Sequence, residues 1–116
     1  MDLIPTAAEE HSITSDAIAR LLAEFGRTPL QQSDYNLDQA IRVLEYLPAR
    51  GGACLAIREI RDAKTVLNYR DRINALDDVI TIIEGTVFVP CSFIPHPLVV
   101  ARAELQNAQR YLRTAA

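Results

Sequence analysis

Residues 97–115 read PLVVARAELQNAQRYLRTA, and the architecture follows from them. Leu98, Ala101, Leu105, Ala108, Leu112 and Ala115 recur at spacings of three and four. On a helix those spacings put all six on one stripe. Large and small side chains alternate along it, so a second helix can approach closely. Pro97 stands where proline is favoured, in a first turn. The stretch predicts a helix over about 97–114 and a helix–helix contact through Leu98, Ala101, Leu105, Ala108 and Leu112. The facing helix belongs either to the same chain or to a second copy of it, and the stripe suits both. It predicts packing and no chemistry.

Upstream, Pro90 and Pro95 impose an extended connection. Before it, Val, Ile and Thr fill eight of the eleven positions of 79–89, around Glu84-Gly85. That run suits either a small β-hairpin or the end of a helix stopped by Gly85. Glu-Gly is a weak hairpin signal beside Asn-Gly, and a helical period runs smoothly to Ile83, so helix to about residue 84 is the preferred reading. Region 53–84 holds two apolar stripes. Ile57, Ile60, Ala63, the stem of Lys64 and Leu67 form the first. Ile73, Leu76, Val79, Ile80 and Ile83 form the second, turned almost to the opposite side. A break across 68–72 giving two helices explains this better than one long helix.

Further towards the N-terminus, Leu37, Ala40, Ile41, Leu44 and Leu47 predict a helix over about 37–47, capped by Asn36 and ended by Pro48 and Gly51-Gly52. Residues 26–36, with Pro29, Ser33, Asp34 and Asn36, read as a polar connection. Another helix is expected over about 14–25, and a turn of helix over 7–11. The expectation is an all-α domain spanning 1–116, an irregular bundle of four to five helices.

At 116 residues and 49% apolar content, burial can offset the entropy of ordering one core. No apolar run is long enough to span a membrane. The N-terminus lacks the basic and apolar regions of a signal peptide, so a cytoplasmic location is expected. The net charge of −3 does not favour non-specific nucleic-acid binding. The charge is unevenly spread. Residues 1–48 carry eight acids and three bases, while 49–76 carry three acids and six bases. Eleven of the twelve bases are Arg, which suits bidentate contacts. Arg58, Arg61, Lys64, Arg70 and Arg72 are the candidate basic surface, although Glu59, Asp62 and Asp71 lie among them as helix-stabilising partners.

Cys54, Cys91, His11 and His96 are the soft metal ligands, and none has metal-site spacing. Both cysteines are expected reduced and mostly buried, although two suffice for one bridge. Cys91 and His96 are five residues apart, the best placed pair for thiol or metal chemistry. Asp77-Asp78 diverge on a helix and make no acid–base pair. The sequence contains no phosphate loop and no nucleophile elbow. No cofactor or metal is expected. The reading is a non-enzymatic protein–protein interaction module, an inhibitor, adaptor or small regulator whose partner is another protein or a second copy. The alternatives are a DNA-binding regulator using the basic surface, and a small thiol or metal-dependent enzyme.

Overall fold

The computed structural model describes residues 26–48, 51–86 and 95–115. The helix expected over 14–25, the turn over 7–11, His11 and Cys91 lie outside the described residues. Four helices account for 80% of what is described, with no strand among these residues. They are α1 (Pro29–Leu44), α2 (Gly51–Ala63), α3 (Tyr69–Glu84) and α4 (Pro97–Ala115).

The all-α expectation holds, and the hairpin does not. Residues 79–84 are the last turns of α3, and Gly85 caps that helix, its N–H donating to the Thr81 carbonyl at 3.0 Å while the Thr86 N–H donates to the Ile83 carbonyl at 3.1 Å. The apolar period of Leu76, Val79, Ile80 and Ile83 outweighs the β-branched composition, because burying that stripe gains more than strand propensity offers. Residues 87–89 lie outside the described region.

Two boundaries move. The chain does break between the two stripes of 53–84, but over 64–68 rather than 68–72. Asn68 is the N-cap of α3, its side chain accepting from the Asp71 N–H at 3.0 Å. The start of α1 differs more. The stretch 26–36 is not a loop, because α1 begins at Pro29, eight residues before the expected start. Thr28 and Gln31 form a capping box. The Thr28 hydroxyl accepts from the Gln31 N–H at 3.1 Å, and the Gln31 side chain accepts from the Thr28 N–H at 3.0 Å. Pro29 follows at the first helical position, where its missing N–H costs nothing. Thr28→Ala is expected to lower stability by about 1 kcal/mol, read as a shift in the urea midpoint. An unshifted midpoint would mean that the box does not hold the helix start.

The long-range contacts give the helix directions. Gly51 follows Pro48 closely, and Lys64 pairs with Asp38, so α2 runs back along α1. Gly52 meets Thr86, and α3 runs back along α2. Gln109 reaches Ile73 and Asp77, while Leu98 shares a wall with Ile82, so α4 is antiparallel to α3. The most extensive contact is between α1 and α4, which closes the ring. The result is an up-down-up-down bundle. Its shared core includes Leu37, Leu44, Ile60, Leu76, Val79, Leu105 and Leu112, all essentially inaccessible.

Candidate functional site

Leu98, Ala101, Leu105, Ala108 and Leu112 are all buried in this core, at 3% exposure or less. The stripe is therefore satisfied within the chain, with α1 as its main neighbour. The large–small alternation explains the tight α1–α4 contact. Of these five, Leu98 also borders a hollow at one end of the bundle.

The basic surface loses a member. Arg72 does not lie on it, because its side chain is 0% exposed. Its guanidinium fork is fully engaged. Nε donates to the Val66 carbonyl at 2.8 Å, and one terminal nitrogen donates to the Lys64 carbonyl at 2.8 Å. The other donates to Ser33 Oγ at 2.8 Å and to Asp34 Oδ1 at 2.6 Å. Ser33 in turn donates to the Leu30 carbonyl at 2.8 Å. Arg72 thus ties the α2–α3 connection to the first half of α1. Geometry makes this a burial site, since Arg72 lies one turn before Leu76 on the stripe of Val79 and Ile83. Lys64 is also committed, to Asp38 at 2.6 Å. Arg58, Arg61 and Arg70 stay exposed, and Arg58 lies 3.8 Å from Glu59.

A second polar run lies beside Ser33 on α1. Arg27 donates to Gln32 at 3.0 Å, Gln32 to Asn36 at 3.4 Å, and Asn36 to Glu104 of α4 at 2.9 Å. Gln109 of α4 donates to the Ile73 carbonyl at 3.1 Å and to Asp77 at 2.6 Å. Among the described residues no buried side-chain polar atom lacks a partner. Such satisfied networks fix the register of a bundle, and an unsatisfied one would cost it stability.

Of the thiols, Cys54 is free and exposed, contrary to the expected burial. The core face of α2 is Ala53, Ala56, Ile60 and Ala63, and one residue beyond Ala53 is rotated about 100° towards solvent. His96 caps α4, its Nδ1 accepting from the Leu98 N–H at 3.1 Å. Among the described residues no group of three or more His, Cys, Asp or Glu side chains could hold a metal ion.

Among the described residues, a hollow lies at one end of the bundle. There the C-terminal ends of α1 and α3 meet the N-terminal ends of α2 and α4, around a volume of about 720 Å³. Leu47 and Pro48 form one wall, and Gly51, Gly52, Ala53 and Leu55 the next. Thr81, Ile82, Gly85 and Thr86 face them, with Leu98 at the base of α4. Among the described residues that line it, none has a titratable side chain. Its two hydroxyls are turned back onto α3, Thr81 donating to the Asp77 carbonyl at 3.0 Å and Thr86 to the Ile82 carbonyl at 2.7 Å. The surface offered is hydrocarbon. Leu55, 37% exposed, stands on its wall.

Two glycines shape the hollow. Gly51 has φ +65°, a left-handed turn into α2 that other residues adopt only under strain. Gly52 lets α2 close onto α3. A Cβ there would lie 2.7 Å from Thr86 Cγ2 and 2.9 Å from Thr86 Cβ. Gly52→Ala is therefore expected to destabilise, because overpacking of about 1–3 kcal/mol outweighs the gain of about 1 kcal/mol in helix propensity. In a Thr86→Gly background the clash is gone, and the same substitution should become stabilising. The same sign in both backgrounds, by urea unfolding, would show that the two residues do not abut.

Compared with known proteins, the chain stands apart: no family model, no curated protein and no solved structure matches it.

Proposed function

We propose that this chain is a non-enzymatic protein–protein interaction module, an inhibitor, adaptor or small regulator acting in the cytoplasm. The observation that carries the reading is the apolar hollow at the end of the bundle. Its hydrocarbon lining, with the polar atoms turned inward, suits apolar side chains projecting from one face of a partner helix. Its size fits two or three of them, by the usual range of about 300–1,000 Å³ for binding pockets. Leu98, Ala101, Leu105, Ala108 and Leu112 pack in the core of the same chain. The contacting residues in this reading are Leu47, Leu55 and Ile82. No described helix is long and apolar enough to cross a membrane.

The test compares Leu55→Glu with a double Arg58→Ala, Arg61→Ala variant, after circular dichroism shows each to be folded. Leu55 is part-exposed and outside the shared core, so the fold should survive. Leu55→Glu is expected to abolish capture of the protein that the wild-type chain pulls down from its source cell, while the double Arg variant keeps it. Light scattering on the same samples shows whether that protein is a second copy. Binding unchanged in Leu55→Glu sinks the reading. If the double Arg variant alone loses its ligand, and the ligand is a duplex whose affinity falls steeply with salt, the DNA-binding alternative replaces it. That alternative now rests on Arg58, Arg61 and Arg70 only, among Glu59, Asp62 and Asp71.

A further inference from the structure

We draw no further inference here: the strongest candidate, the apolar hollow between the C-terminal ends of α1 and α3 and the N-terminal ends of α2 and α4, belongs to the site already described, and nothing in the structure shows what covers it.

Discussion

Replacing Arg72 with methionine is expected to cost about 2–4 kcal/mol of stability, because several acceptors around a buried guanidinium lose their donor at about 1–3 kcal/mol each where water cannot replace it. Folded chains of this kind are stable by only about 5–15 kcal/mol, so the loss is a large share of the total. The apolar volume is nearly conserved, because a methionine fills most of the arginine stem. The loss comes from what the guanidinium leaves behind. The part-buried Lys64 and Val66 carbonyls lose their donors, and so does the buried Ser33 hydroxyl; a stranded acceptor costs up to about 1–3 kcal/mol, less where water reaches it. Asp34 loses its charge partner too, but at 40% side-chain exposure water replaces much of that contact. Asp34→Asn should therefore cost much less, about 1 kcal/mol. Arg72→Lys should fall close to Arg72→Met, since a single ammonium cannot serve four acceptors spread around a planar fork. Urea unfolding followed by circular dichroism gives all three values. An Arg72→Met midpoint within error of wild type would mean that the connection over 64–68 holds without its arginine.

Arg72 also shows how far the sequence could be read. Its neighbours Asp71 and Arg70 made it look like part of a solvated, charged stretch. Yet it falls on the same stripe as Leu76, Val79 and Ile83, one turn earlier. An arginine in phase with an apolar stripe is a candidate for burial, provided that carbonyls or carboxylates lie within reach. The sequence showed the phase but not the acceptors, which come from a chain break and from α1, almost forty residues away.

The start of α1 was hidden for a related reason. Gln32, Ser33 and Asn36 are buried, but hydropathy patterns count only apolar residues as inward-facing. With those three read as loop, the helix was expected to begin at the first apolar repeat, Leu37. The spacing Thr28-Pro29-Leu30-Gln31 is that of a capping box, a sequence signal for the true start that the apolar period passes over. Conversely, the break between α2 and α3 was legible because two stripes out of phase cannot face one core along a single straight helix. The hollow was not legible at all. It is made of four helix ends, and only the packing of α2 on α3, set by the missing side chain of Gly52, brings those ends together.

Ala108→Arg is expected to cost more than Arg72→Met. Ala108 is 0% exposed and lies in the core stripe of α4. An arginine there meets no acceptor prepared for it, and the close approach to α1 leaves no room for its stem. Overpacking alone costs about 1–3 kcal/mol, and an unpaired charge held in the core adds several more. The sum approaches the stability of a small bundle, so the variant should lose its helical circular dichroism and its cooperative unfolding. Ala108→Leu asks the same question more gently and should stay folded while losing about 1–3 kcal/mol. Val99→Arg is the control, on the same helix but 39% exposed, and should change stability by no more than about 0.5 kcal/mol. The contrast matters because the alternating Leu and Ala stripe suits a contact between two copies as well as one inside the chain. A folded Ala108→Arg chain whose mass by light scattering differed from wild type would place the stripe between copies. Unfolding of Ala108→Arg beside a tolerant Val99→Arg would place it where the burial does, against α1.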